Sequence, residues 1–195
     1  MSDDGLRYYA GTVKIETERL ILREFEIDDW QAVLAYQRDH RYQQFYSFSE
    51  RTETEAQDFV QKFLSQQSES PRRKYQLAVT IAGTDEVIGT CGIRRKAEND
   101  KEADIGFELA PWHWGNGFAT EAAQSIVQFG FDELELHKIS SKCIAENIAS
   151  ARVLENVGLR REGKLRDDEF FKNRWWDTLL FGILEEEWNG STVRA

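Results

Sequence analysis

Two glycines stand where a strand gives way to a helix. Residues 105–122 read as a strand through Phe107, Glu108 and Leu109, a loop holding Trp114, Gly115, Asn116 and Gly117, and a helix opening with Phe118, Ala119, Thr120 and Glu121. The first N–H groups of a helix lack internal partners, and the helix dipole adds partial positive charge there. Glycines let an anion approach those groups with no Cβ in the way. The chemistry this spacing suits is the binding of a phosphate or pyrophosphate, hence of a phosphorylated cofactor.

Further along, Asn147 precedes Ile148, Ala149 and Ser150. Asn147 caps a short helix through Ala151, Val153, Leu154 and Val157 that stops at Gly158. Ser150 is on this reading a first-turn serine. Glu108 is a carboxylate on the strand itself. Glu169 belongs to the charged loop from Arg166 to Phe171. Cys91 and Cys143 are far apart and read as reduced residues in apolar runs. His40, His113 and His137 share no metal-ligand spacing, so no metal site is expected.

These residues need elements to position them. A strand is predicted over 17–25, with Leu20, Leu22 and Phe25 as apolar markers. Asp28 or Asp29 caps a helix through Trp30 and Gln37, and Thr52 or Thr54 caps one carrying Ala56, Val60 and Phe63. Ser65 to Lys74 is a polar loop. Gln76–Ala82 and Val87–Arg94 form a hairpin, and Ala97–Lys101 turns into the strand 103–109. The helix from Gly117 sets Ala119, Ala122, Ala123, Ile126, Val127 and Gly130 on one stripe. Lys138–Ala145 is a strand, and Leu159–Leu165 and Trp175–Leu184 are two more around the charged loop. The result is a mixed α/β chain with an antiparallel meander before the glycine loop and a crossover after it.

At 195 residues the chain is long enough for one sizeable core. Hydrophobic residues make up 41% of it, with 13 Gly and 2 Pro, which is globular composition. A net charge of −10 disfavours direct nucleic-acid binding and is compatible with a cationic substrate. No apolar run approaches a membrane span, and no signal pattern opens the chain, so a cytoplasmic protein is expected.

Four pieces, in order, resemble the GNAT superfamily of acetyl-CoA-dependent N-acetyltransferases, and most closely its ribosomal-protein N-terminal (RimJ/RimL-type) branch. They are Thr17 to Arg23, Trp114 to Ala122, Asn147 to Leu159, and Trp175 to Asp177 followed by Leu184, Glu187 and Trp188. The resemblance spans about 15–188. It implies one GNAT domain there, with an N-terminal extension over 1–14 and a tail over 189–195. It also implies a mostly antiparallel twisted sheet, splayed in the middle and flanked by helices. One departure is Trp112, where the superfamily often has Gln or Arg.

The resemblance further implies acetyl-CoA as cofactor. Backbone of Phe107 and Leu109 would hold the pantetheine arm, and N–H groups from Trp114 through Gly115, Asn116, Gly117, Phe118, Ala119 and Thr120 the pyrophosphate. Asn147 would add a pantetheine hydrogen bond, and Ser150 would protonate the departing sulfur. Glu169 would act as base through water, with Glu108 as the alternative. The expected acceptor is a protein or peptide N-terminal α-amine, a basic ribosomal protein among the candidates. A polyamine, aminoglycoside or amino-acid conjugate stays open, as do a homodimer and a non-catalytic CoA-binding scaffold. A dinucleotide-binding fold also places Gly-x-Gly before a helix, with Glu146 ending the next strand, but Thr120 stands where its fingerprint requires glycine.

Overall fold

The computed structural model describes residues 6–9, 12–48, 50–95, 97 and 100–191, without the side chains of 6–9 and 189–191. Among the described residues, nine strands form one sheet: β1 (Leu6–Tyr9), β2 (Thr12–Glu16), β3 (Leu20–Arg23), β4 (Lys74–Ile81), β5 (Val87–Arg95), β6 (Glu102–Leu109), β7 (Lys138–Ile144), β8 (Arg160–Phe171) and β9 (Arg174–Leu184). The spatial order is β1-β2-β3-β4-β5-β6-β7-β9-β8. Every neighbouring pair is antiparallel except β6 and β7. The helices are α1 (Trp30–Gln37), α2 (His40–Gln43), α3 (Glu53–Gln67), α4 (Phe118–Asp132), α5 (Ile148–Val157) and α6 (Glu185–Ser191).

Alternation along the strands divides the core in two. Leu77, Cys91, Ile93, Ala103 and Ile105 turn to the face covered by α4 and α5. Ala78 turns the other way, toward Val33, Tyr36, Val60 and Phe63 of α1 and α3. Helix α4 buries Ala122, Ala123, Ile126, Val127 and Gly130 as the periodicity predicts, and Phe129 and Phe131 besides. At Gly130 the helix comes so close to the sheet that a Cβ there would stand 2.7 Å from Cδ1 of both Ile93 and Ile139.

Several local expectations change. Thr52 caps α3 in a reciprocal box with Glu55. Asp29 offers α1 no side-chain cap, because its carboxylate is engaged by Arg23 at 2.8 and 3.0 Å. The strand predicted from Thr17 begins at Leu20. Of the expected extension over 1–14, Leu6–Tyr9 and residues 12–14 of the strand Thr12–Glu16 pair onto the sheet edge. The predicted tail from 189 begins inside α6. The rest of the extension (1–5, 10, 11) and of the tail (192–195) lies outside the described residues, as do 98 and 99 of the 97–101 turn.

The largest correction concerns Arg166 to Phe171. This segment is strand, the end of β8, with a register shift between Leu165 and Glu169 that takes up Asp167 at φ 48°. The hairpin turn is Lys172-Asn173, both at positive φ.

The close approach at Gly130 sets a stability test. Gly130→Val overpacks the α4–sheet contact and is expected to lose about 1–3 kcal/mol, read from urea unfolding. An unchanged urea midpoint would show that the two isoleucines yield freely.

Candidate functional site

The sheet comes apart at its centre. β6 and β7 pair only over Glu102–Lys138, Ala103–Ile139 and Asp104–Ser140. The Ser141 hydroxyl donates to the Ile105 carbonyl at 3.0 Å as the last link. Beyond it the strands diverge, and a cavity of about 920 Å³ occupies the opening. Ile105 and Leu109 direct their carbonyls to this open edge, the latter receiving the Trp114 indole N–H at 2.8 Å. Alternation puts the N–H and C=O of Phe107 on the same edge. Trp114 therefore fixes the loop to the strand end, a role its position in the motif does not reveal.

The loop delivers the geometry expected of it. Gly115 and Gly117 sit at φ 80° and 81°, and Gly117 is the N-cap of α4 with no side chain to offer the first-turn N–H groups. A Cβ on Gly115 would meet nothing within 4 Å, so the approach is open. Asn116 turns inward, its amide donating to the carbonyls of His113 and Trp114 at 3.1 and 3.3 Å.

A clamp missed by sequence reasoning holds this helix start. Glu121 accepts from the Thr17 hydroxyl at 2.6 Å, the Arg19 backbone N–H at 2.9 Å and the Arg19 Nε at 2.7 Å. Arg19 also donates to the Asn116 carbonyl at 2.9 Å and lies 4.7 Å from the Phe118 ring centre. Thr17 and Arg19 were visible only as the opening of a strand motif. Their partner is about a hundred residues away, beyond any local pattern.

On α5 the Asn147 side chain accepts the Ser150 N–H at 3.1 Å, the predicted cap. Both residues line the cavity, as do Phe107, Glu108 and Glu169. Glu169 stands on β8 opposite Trp176 and pairs with Lys142 at 2.9 Å, on the partly exposed side. Glu108 sits much deeper. It receives long hydrogen bonds from Gln37 Nε2 at 3.3 Å and the Tyr36 hydroxyl at 3.4 Å. Burial pushes its carboxyl above the usual range, against the opposing pull of Tyr42, Gln37, Arg51 and Tyr36. Burial likewise pushes the phenols of Tyr36, Tyr42 and Tyr46 well up, so they remain protonated donors around it. No spacing signal joins Tyr36, Tyr42 and Tyr46 to Glu108 in the sequence; α1, α2 and the turn after α2 bring them over it.

Among the described residues no group of three His, Cys, Asp or Glu side chains is arranged to hold a metal, and no helix is long and apolar enough to cross a membrane. The opened sheet thus offers a hydrogen-bonding edge to a cavity lined by Phe107, Glu108, Asn147 and Ser150, and the same strand leads out of it into a helix start without a side-chain cap. Residues 19–160 match the acetyltransferase (GNAT) domain.

The chain belongs to the GNAT family of acetyltransferases. An uncharacterised N-acetyltransferase of Bacillus subtilis, YnaD, is 38% identical over 181 residues, covering 90% of this chain and 99% of that protein. A GNAT-family acetyltransferase structure from Bacillus anthracis superposes with a TM-score of 0.78 at 32% identity, covering 89% and 99%. The ribosomal-protein-serine acetyltransferase of Escherichia coli is 30% identical over 110 residues, 56% of this chain and 62% of that protein. In this GNAT domain the splay, the crossover through α4 and the flanking helices are all as the family resemblance implies.

The buried glutamate gives a stability prediction. A carboxyl whose folded pKa is raised supports the fold fully below its unfolded pKa of about 4.3, and that support is lost as pH rises through the folded value. Glu108→Gln should therefore raise Tm relative to wild type more near pH 7 than near pH 4. Equal shifts at both would place Glu108 in a well-solvated setting.

Proposed function

We propose that this GNAT domain transfers an acetyl group from acetyl-CoA to the α-amine of a protein or peptide N-terminus. The observation that carries the reading is the joint opening of Phe107, Ser150 and Glu108 into one cavity, on the strand whose end leads through the glycine loop into the bare α4 N-terminus. The fit to CoA rests on two features. The first turn of α4 has donors that Gly117 leaves uncapped. The Phe107 N–H and C=O face the parted strand without a partner among the described residues, suited to an amide-bearing arm.

Bound acetyl-CoA supplies an activated thioester. The α4 N-terminus holds the pyrophosphate, with the Arg19–Glu121 clamp keeping the loop in place. Ser150, anchored by its own N–H on Asn147, presents Oγ as proton donor to the leaving sulfur. Glu108 serves as the base that draws a proton from the amine, directly or through water. It is favoured over Glu169 because a desolvated carboxyl with a raised pKa is a better match to an amine, while Glu169 is occupied by Lys142. The α-amine is favoured over lysine because its pKa is lower by about 2.6 units, worth about 3.5 kcal/mol in forming the neutral nucleophile. Similarity to the ribosomal-protein-serine acetyltransferase supports the RimJ/RimL-type assignment.

Two experiments test this. Gly117→Val places a branched side chain at a left-handed backbone position beneath the anion path. Calorimetry should show a large loss of acetyl-CoA affinity with circular dichroism unchanged, and no NADH binding by wild type. A folded variant that binds CoA normally would move the phosphate site elsewhere.

In turnover, Ser150→Ala should lower kcat roughly 10-fold to 100-fold with little change in acceptor KM. Glu108→Gln should be most impaired where the amine is protonated and recover above the amine's pKa of about 7.8. A Glu108→Gln profile of kcat/KM parallel to wild type from about pH 6 to about 9.5, with Glu169→Gln showing the recovery, would transfer the base role to Glu169.

A further inference from the structure

The face of the sheet beneath α3 carries a second arrangement that the chemistry above does not use. Strand register fixes it. Lys74, Arg94 and Asp104 are direct neighbours across β4, β5 and β6, and Asp104 continues to Ser140 on β7. One step in from this row come Gln76, Gly92 and Gly106, and a further step in come Ala78, Thr90 and Glu108. All three rows share one face, because they are two residues apart along each strand.

The middle row contains two glycines in register, and the space above them is filled sideways. A Cβ on Gly92 would strike Gln76 Oε1 at 2.6 Å, and one on Gly106 would strike Arg94 Nη2 at 2.8 Å. The Gln76 amide and the Arg94 guanidinium therefore lie flat across the sheet. Arg94 donates Nη1–H to Gln76 Oε1 at 3.1 Å and Nε–H and Nη2–H to Asp104 Oδ2 at 2.8 and 2.5 Å. Gln76 is in turn held by donation to the Thr90 hydroxyl at 2.7 Å. A guanidinium has five N–H groups. Two of those on Arg94 remain for a ligand, on a side chain already locked in place.

Charge around this floor is not balanced. Lys142 is matched by Glu169, and Glu162 by Lys138. Lys62, from α3, and Lys74 line the same cavity, and among the described residues neither pairs with a carboxylate. In the outer row Lys74 and Arg94 stand with Asp104, Lys62 adds a further cation to the lining, and Glu108 is the acidic group of the inner row. Among the described residues the cavity thus holds two lysines without a carboxylate partner, in a protein whose net charge is −10.

We infer that Lys62, Lys74 and Arg94 form an anion subsite that selects acceptors carrying a carboxylate a fixed distance from the reacting amine. The inference rests on the acetyl-transfer reading, and it replaces the expectation of a basic acceptor terminus with an acidic one. Glu108 and Asp104 are four residues apart on one strand, about 13 Å at about 3.3 Å per residue. An extended peptide covers that span in three to four residues. The class of acceptor is accordingly an N-terminal segment with Asp or Glu at its third or fourth position, and polyamines are disfavoured.

The test uses three peptides identical except at positions three and four, which hold Glu-Glu, Gln-Gln or Lys-Lys, with spermidine alongside. Acetylation is followed by thiol release, and peptide binding to the CoA-loaded enzyme by calorimetry, so that affinity is visible where turnover is slow. The Glu-Glu peptide should exceed Gln-Gln by about fivefold in kcat/KM, mostly through KM, as one exposed charge pair is worth up to about fivefold. The advantage should shrink as salt is raised. The double variant Lys62→Glu/Lys74→Glu leaves the proposed catalytic groups intact and should reverse the preference toward Lys-Lys. Peptides bound and acetylated without regard to charge would overturn the subsite while leaving the acetyl-transfer reading standing. Spermidine acetylated in place of all three peptides would overturn both the subsite and the N-terminal acceptor.

Discussion

The parting of β6 from β7 is the constraint on which the rest of this structure depends. A sheet normally satisfies each strand's backbone groups on its neighbour. Here the pairing ends after three residue pairs, and the centre of the molecule is left with unfilled hydrogen-bonding capacity. Two of the carbonyls involved are served from within the chain, Ile105 by the Ser141 hydroxyl and Leu109 by the Trp114 indole. Phe107 lies between them, and among the described residues no side chain serves it in this way. The crossover helix α4 begins beside this gap because the strand that leads into it ends there. The open backbone edge and the bare helix start thus lie at the end of one strand.

The two faces of the sheet then divide the chemistry. Toward α4 and α5 the packing is apolar, and the polar work falls to backbone groups at helix starts. Toward α3 the sheet presents Gln76, Thr90, Arg94, Asp104 and Glu108, tied sideways to one another or covered by tyrosines. Glu108 lies between these regimes. It lines the cavity at the gap, and burial there weakens the stabilisation of its charge by water. Its raised pKa follows from that position, since the surrounding donors only partly offset the loss of solvent.

Much of this was legible in the sequence because it is local. The stripe from Ala122 to Gly130 needs only the helical period, and the Asn147 cap and Gly158 stop need only residue chemistry. Gly115 and Gly117 are read correctly because only glycine adopts their backbone angles without strain. What the sequence hid is long-range or exposed. Glu121 meets Thr17 and Arg19 across the molecule, and three tyrosines reach Glu108 from elements with no pattern in common with its strand. Glu169 reads as loop because β8 is an edge strand exposed on both sides over most of its length, so no alternation marks it. The bulge before Glu169 further disturbs the period-two pattern there.

The two halves of the parted sheet are also joined from above. Lys172, in the turn of the β8–β9 hairpin, donates to the Gln43 carbonyl at 2.7 Å, and Phe45 packs edge-on to Trp176 with ring centres 6.0 Å apart. The segment that supplies Tyr42 and Tyr46 to Glu108 is therefore the same one that spans the gap, like a tie-bar across an open wedge. Among the described residues, no hydrogen bond, ion pair or ring contact joins this segment to the glycine loop. Insertions or substitutions between α1 and α3 would therefore alter the span over the opening without a direct contact to the loop at Gly115 and Gly117. The architecture is in this sense modular within a single domain. One continuous sheet carries the glycine loop at the end of one strand and, across its opening, a separate span that brings the tyrosines over Glu108.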